Sequence, residues 1–278
     1  MRNPLDPHYI KVINQENIFN KERNIRTPSL LRSLSGISGT GKSTALNNLL
    51  KLYPQLISHQ YYHDNPLFFE QITWLKTDCA PNGNPFNTCF EAIRNIDRIL
   101  LEKGYRRACP RAIGNTQVFE YTARLFWMHG LGIWVIDEMQ RMDKASEEQR
   151  TLFSQFLSFV TENLGIPVLL LSTTKSNVNQ FHSFIDKEYQ ILWERLDYAN
   201  EWKDFIQCIF NYQWTKKKSE ATRCLSSILY KESQGVIGIA LKLYILAQIE
   251  AVILDLPQIT SGLIRQVAKK SLLSKGLD

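Results

Sequence analysis

The sequence predicts an α/β fold: a three-layer sandwich with a parallel sheet between helices, followed by a small C-terminal helical subdomain. Three observations predict it. Gly36-Ile37-Ser38-Gly39-Thr40-Gly41-Lys42-Ser43-Thr44 fits the phosphate-binding pattern G-x-x-x-x-G-K-[ST]. Gly132-Ile133-Trp134-Val135-Ile136-Asp137-Glu138 is an apolar run ending in two carboxylates, the pattern of a buried parallel strand whose C-terminal end meets a site. From Trp202 onward the pattern is helical, in four segments separated by turn signals.

Composition bounds the rest. The chain has 278 residues, enough for one large domain or two smaller ones with a sizeable core. Hydrophobic residues at 44% and charged residues at 22% place it with ordinary globular proteins. A net charge of +6 favours an acidic partner such as nucleic acid, although a phosphate-binding enzyme has the same balance. Five scattered cysteines with no C-x-x-C pair argue for reduced thiols in a cytosol, against a disulfide frame or a structural zinc. The polar start of the chain carries no signal peptide, and no apolar run is long enough to span a bilayer, so no membrane role is expected.

Residues 1–28 read as an irregular N-terminal arm broken by Pro4, Pro7 and Pro28, with a short helix over 14–26 that carries Arg23 and Arg26. Leu30 to Leu34 supply the strand that must precede a phosphate loop, and Ser43 to Leu50 the helix that must follow it. In such a loop glycines free the backbone to turn its N–H groups inward, and the helix N-terminus adds positive potential. Gly36, Ser38, Gly39, Thr40, Gly41 and Thr44 form this cradle; Lys42 reaches the β- and γ-phosphates, and the Ser43 hydroxyl ligates Mg²⁺.

The Tyr- and His-rich stretch from His59 to Glu70 has no clear pattern. His59 and His63 are four apart but lack a third ligand nearby, so they read as surface histidines. Gln71 to Thr77 reads as a strand, Asp78 to Pro85 as a turn-rich loop, and Thr88 to Lys103 as a helix with Phe90, Ile93, Ile96, Ile99 and Leu100 on one face. Arg106, Arg107 and Arg111 sit in a short linker with Asn115 and Thr116 just beyond; a solvated loop and a phosphate-backbone contact both fit. Thr116 to His129 returns to helix.

The strand to Asp137 follows the loop lysine by about 95 residues, the place of the second ATPase motif. There Asp137 holds Mg²⁺ through its water shell, and Glu138 orients and polarises the attacking water. Ser146 to Leu164 reads as a helix with Ser146 as its cap, Glu147 and Glu148 in its first turn, and Leu152, Phe153, Phe156, Leu157 and Val160 as its core stripe. Pro167 to Thr174 reads as another buried strand, with hydroxyls where a γ-phosphate sensor belongs or where they merely cap locally. Arg195, next to Glu194, could reach a neighbouring subunit's nucleotide, a role worth about 10³–10⁵ in rate, or form a surface ion pair; Lys187 is the fallback cation. The segments Trp202–Trp214, Glu220–Glu232, Gly238–Leu254 and Ser261–Lys270 make the terminal helices, which puts the core at 29–201 and the helical lid at 202–278.

With these features in place the chain resembles an AAA+ ATPase, and more narrowly the TnsC/TniB group, ATP-dependent regulators of DNA transposition. The phosphate loop and Trp134-Val135-Ile136-Asp137-Glu138 are general to the superfamily. Trp74-Leu75-Lys76-Thr77-Asp78-Cys79-Ala80-Pro81-Asn82-Gly83, Trp193-Glu194-Arg195-Leu196, Tyr212-Gln213-Trp214-Thr215 and the run from Gln234 to Tyr244 accompany them, and the narrower likeness rests chiefly on the first of these and the last two. The resemblance spans roughly residues 25 to 265.

The resemblance implies an AAA+ core with a small helical lid, binding ATP and Mg²⁺ and assembling as a homo-oligomeric ring or helical filament on double-stranded DNA. It implies that the protein links a target-selecting protein, sometimes a CRISPR-associated complex, to a transposase, with hydrolysis as the switch, in a bacterial cytoplasm. Lys42, Ser43, Asp137 and Glu138 take the family's nucleotide roles, and Thr173 or Thr174 the first sensor. Lys242 stands where the lid often offers a second-sensor arginine. Lys76, Arg106, Arg107, Arg111 and Thr116 are the candidate DNA contacts. Two other classes fit a phosphate loop: a small-molecule kinase, for which no lid arginines or acceptor pocket are recognisable, and a signalling NTPase acting through protein contacts only.

Overall fold

The computed structural model describes residues 31–62, 65–101, 103–109, 117–173 and 189–273. The N-terminal arm, His63, Arg111, Asn115, Thr116, Thr174 and Lys187 lie outside the described residues. In chain order the elements are β1 (Leu31–Gly36), α1 (Lys42–Leu50), β2 (Leu56–Tyr62), β3 (Asn65–Ile72), β4 (Trp74–Asp78), α2 (Pro85–Ile99), α3 (Tyr105–Ala108) and α4 (Gln117–Met128). They continue with β5 (Ile133–Asp137), a 3₁₀ turn (Met139–Lys144), α5 (Glu147–Ser158) extended by a π turn (Phe159–Asn163), β6 (Val168–Ser172) and β7 (Gln190–Trp193). Four helices close the chain: α6 (Asn200–Phe210), α7 (Arg223–Ser233), α8 (Ile237–Ile253) and α9 (Ser261–Leu273).

The predicted α/β fold is present. Five strands form one sheet in the order β4-β5-β6-β1-β7. β4 and β5 run parallel from Trp74 opposite Ile133 to Asp78 opposite Asp137, and β5 and β6 from Trp134 opposite Val168 to Ile136 opposite Leu170. Helix crossovers are what parallel neighbours require. The period-two alternation of side chains then sorts the two faces. Trp134, Ile136, Val168 and Leu170 pack with Ile93 and Ile96 of α2, Phe126 of α4 and Phe153 and Phe156 of α5. Val135 and Leu171 instead join Leu34 of β1 and Leu46 and Leu50 of α1. Alternation places Asp137 on the α1 side with Val135, and Lys76 there with Trp74.

Trp134 anchors the first face. It is fully buried, meets the rings of Phe126 and Phe153 edge-on, and donates its indole N–H to the Thr77 hydroxyl at 3.2 Å. That bond removes the penalty a buried indole N–H would otherwise carry. The helices begin where the sequence marks them. Asn84 caps α2 through the Phe86 and Asn87 N–H groups. Ser146 and Gln149 close a capping box at α5, a device worth about 1 kcal/mol.

β2 and β3 pair as a separate antiparallel hairpin from Leu56 opposite Ile72, with an irregularity between His59 and Tyr61. The strand expected over Gln71–Thr77 is therefore two: β3 ends at Ile72 and β4 begins at Trp74. Thr73 breaks them, its N–H bonding to the Gln55 carbonyl and its hydroxyl to that of Pro54. His59 stacks on Phe69 and pairs with Gln71 at 2.9 Å. Among the described residues no group of His, Cys, Asp or Glu is arranged to hold a metal by itself. All five cysteines are free thiols. No helix among the described residues is long and apolar enough to cross a membrane.

The chain divides into two compact units, Met1–Leu34 with Leu46–Ile191 and Ser35–Ala45 with Leu192–Asp278. The phosphate loop thus groups with the C-terminal helices. Those helices have their own core, in which Trp202, Ile206, Leu229, Ala240, Tyr244, Ala247 and Ile264 are almost fully buried. The Trp202 indole N–H donates to the Ser226 hydroxyl at 3.1 Å.

Candidate functional site

The phosphate loop follows β1 and opens α1, with the Ala45 N–H bonded to the Gly41 carbonyl at 2.9 Å to start the helix. Gly39 and Gly41 take φ values of +82° and +94°, conformations that a side chain would strain. Lys42 is only 8% exposed, and its ammonium donates to the Gly36 carbonyl at 2.7 Å and the Ile37 carbonyl at 2.9 Å. The Thr40 hydroxyl also donates to Ile37, at 2.8 Å. The loop is thereby closed on itself around its lysine, a preorganised cradle for an anion.

Its outer carbonyls are held by the C-terminal part of the chain. The Gly238 N–H, in the first turn of α8, donates to Gly39 at 2.7 Å, and the Trp193 indole N–H donates to Thr40 at 3.2 Å. The approach is too close for side chains. A Cβ on Gly36 would come within 2.3 Å of the Trp193 carbonyl oxygen, and one on Gly238 within 3.0 Å of that of Gly39. Arg195 is exposed and its guanidinium lies 3.4 Å from the Gln234 side-chain oxygen, while the Leu196 N–H bonds to the Gly235 carbonyl at 3.1 Å. Lys242 lies exposed on α8. Trp193 and Gly238 were not singled out from the sequence as loop contacts, although both fall in stretches that carry the family likeness.

The carboxylate pair ends β5. Asp137 is 6% exposed; its Oδ1 accepts the Glu138 N–H at 2.8 Å, and its Oδ2 lies 3.0 Å from the Lys76 ammonium. Lys76 also donates to Asn47 of α1 at 3.0 Å. Lys76, one of the expected DNA contacts, thus has two side-chain partners within the chain. Glu138 has φ +59°, a left-handed backbone that costs a non-glycine residue energy and recurs at functional positions. Its carboxylate accepts from the Gln140 amide at 2.7 Å and lies 3.7 Å from Arg141. Arg141 also donates to the Cys79 carbonyl at 2.7 Å, and the Cys79 N–H returns a bond to the Asp137 carbonyl at 2.8 Å. Burial pushes the Cys79 thiol up to about 11, so it stays protonated and unreactive.

At the end of β6, alternation puts Thr173 on the Asp137 side with Leu171. Ser172 falls on the other side, 4% exposed, its hydroxyl without a hydrogen-bond partner in the described structure. Arg106 and Arg107 are exposed on α3, which Asp97 holds by accepting the Tyr105 and Arg106 N–H groups at 2.9 and 2.8 Å. The carboxylate oxygens of Asp137 are donors of the kind that suits a hard divalent cation such as Mg²⁺.

Residues 27–177, more than half of the chain, match the family model described as AAA domain. The fold is similar to that of the Walker-type ATPase paby2304 of Pyrococcus abyssi, with 16% identity and a TM-score of 0.57 over 100% of this chain and 77% of that one. It is also similar to the Aeropyrum pernix ORC2 protein in its ADPNP-ADP complexes, with 14% identity and a TM-score of 0.54 over 97% of this chain and 70% of that one. No curated protein matches the sequence.

Proposed function

The chain belongs to the AAA domain family, and from that premise we propose that it is an Mg²⁺-dependent ATPase of the TnsC/TniB kind, a regulator of DNA transposition that assembles on double-stranded DNA. The observation that carries the reading is the pair of bonds from Gly238 and Trp193 to the carbonyls of Gly39 and Thr40. Gly238 comes from a stretch on which the likeness to that group chiefly rests, and Trp193 from one that accompanies it. A loop held this way cannot adjust to a triphosphate without moving the start of α8, so occupancy is read by the helical part of the chain.

Each residue has a defined task. The loop N–H groups and Lys42 bind the phosphates. Ser43 and Asp137 would hold Mg²⁺, which would supply positive charge to offset that of the phosphates. Glu138 orients the attacking water and takes its proton on a side-chain oxygen. Thr173 donates to the γ-phosphate, and Lys242 serves from the lid. Arg195, exposed and loosely tethered to Gln234, serves the nucleotide of the next subunit. The exposed Arg106 and Arg107, with Arg111 and Thr116, contact the DNA backbone in a sequence-tolerant way, which suits a chain of net charge +6. A transposase and a target selector are the protein partners. Electron micrographs of the protein with duplex DNA test this: rings or filaments form with a non-hydrolysable ATP analogue and Mg²⁺ and dissolve with ADP. Single unattached particles under both conditions refute the transposition reading and leave a nucleotide-binding ATPase fold.

A further inference from the structure

A nearly buried carboxylate needs a compensating charge, and Asp137 has one built into the chain. Its Oδ2 is 3.0 Å from the Lys76 ammonium, with the two side chains 9% and 21% exposed, and its Oδ1 already accepts the Glu138 N–H at 2.8 Å. Lys76 is itself well fixed. β4 pairs it with Val135, two residues before Asp137; Asn95 donates to its carbonyl at 3.0 Å; Asn47 accepts from its ammonium at 3.0 Å. Both oxygens of the Asp137 carboxylate are therefore engaged within the chain.

We propose that Lys76 is a tethered cation that neutralises Asp137 and makes divalent-metal binding there conditional on a triphosphate. A lone divalent ion must displace the ammonium and meets its repulsion. An ion arriving with a triphosphate brings the anionic oxygens that offset it. Lys76 thus acts as a positioning residue that ties metal loading to nucleotide loading, and this rests on the nucleotide role proposed above.

The test uses Mn²⁺ alone, without nucleotide, followed by electron paramagnetic resonance on the full chain. Lys76→Met should bind Mn²⁺ about tenfold more tightly than the wild type. Its melting temperature in EDTA should fall by roughly 5 °C and recover with Mn²⁺. Lys76→Arg, which keeps the charge, should behave as wild type, and Lys76→Met with Asp137→Asn should lose the gain. Mn²⁺ affinity unchanged by Lys76→Met, or a gain that survives Asp137→Asn, overturns the proposal. A purely structural lysine would lower the melting temperature equally with and without Mn²⁺. Should Lys76→Met not fold, amine acylation of Lys76 in the wild type decides: millimolar Mn²⁺ must raise its labelling, and unchanged labelling overturns the proposal. Fluorescent-ATP binding is measured separately, so failure of the nucleotide reading and failure of the Lys76 role are distinguishable.

Discussion

The backbone N–H of Gly238 donates to the carbonyl of Gly39 at 2.7 Å, joining the first turn of α8 to the phosphate loop. The contact is backbone to backbone, so its tolerance for added atoms is small. A Cβ at position 238 would lie 3.0 Å from that carbonyl oxygen, and the loop rather than a flexible side chain would have to yield. Gly238→Ala is expected to weaken ATP binding about tenfold, or about 1.4 kcal/mol, while leaving the fold intact. Titration with a fluorescent ATP analogue checks it; affinity equal to wild type would mean that the loop does not need this contact.

Lys42 and Glu138 are expected to separate binding from turnover. Lys42 donates to two loop carbonyls and its charge faces the cradle, so Lys42→Ala should abolish detectable nucleotide binding. Glu138→Gln keeps size and the partnership with Gln140 but cannot take a proton. Hydrolysis should fall by about 10²–10⁴ with ATP affinity nearly unchanged, and assembly with nucleotide on DNA should persist. Phosphate release and equilibrium binding, measured on the same preparations, distinguish the two effects. Equal loss of both in Glu138→Gln would remove Glu138 from the role of water-orienting base.

The phosphate loop and β5 were legible because each is written in contiguous residues whose types the backbone demands. Gly39 and Gly41 sit at positive φ, and Trp134 to Asp137 are all buried. The β2–β3 hairpin was not legible: its turn lacks the Gly-containing dipeptides that signal a tight hairpin, and aromatics such as Tyr61 and Phe68 sit exposed in it, blurring the alternation. The break at Thr73 was hidden for a related reason, since an apolar alternation runs across it and only the bonds to Pro54 and Gln55 end the strand. Strand β7 escaped because Gln190 to Trp193 is short and largely exposed. The ion pair of Lys76 with Asp137 was not legible because a lysine near an arginine-rich linker reads as basic surface, and only the pairing of β4 with β5 brings the two side chains together.

His129 ties the hairpin to the α3 region and should make stability depend on pH. Its Nδ1–H donates to the Glu70 carbonyl at 3.0 Å, which leaves Nε2 to accept the Tyr105 hydroxyl at 3.0 Å. The bond from Tyr105 requires the neutral ring, whereas the Nδ1–H donates in either protonation state. Burial holds its pKa below the ordinary histidine value; the bond to Glu70 and that residue's charge oppose the shift, and Lys103 adds slightly to it. The unfolded chain therefore takes up the proton first on acidification. The stabilisation is complete above about pH 6.5 and is lost progressively as pH falls toward the lower folded-state value. His129→Gln can keep both bonds and carries no charge. The melting-temperature difference between wild type and His129→Gln should shrink or change sign between pH 7.5 and 5; a constant difference would show that the imidazole does not titrate on unfolding.

Arg106 and Arg107 give the sharpest measure of DNA contact because both are exposed and neither builds the core. Asp97 holds α3 through backbone N–H groups, not through the guanidinium groups, so removing the charges should leave the turn in place. A cation that neutralises a phosphate releases condensed counterions, and the slope of log affinity against log salt falls by about 0.9 for each phosphate no longer neutralised. Arg106→Gln with Arg107→Gln should therefore lower duplex affinity on every sequence alike and flatten the salt slope by about 1.8. Fluorescence anisotropy over a salt series, with ATP analogue present, checks it. Weaker binding with an unchanged slope would place the defect in assembly, because a protein that still neutralises as many phosphates must release as many ions.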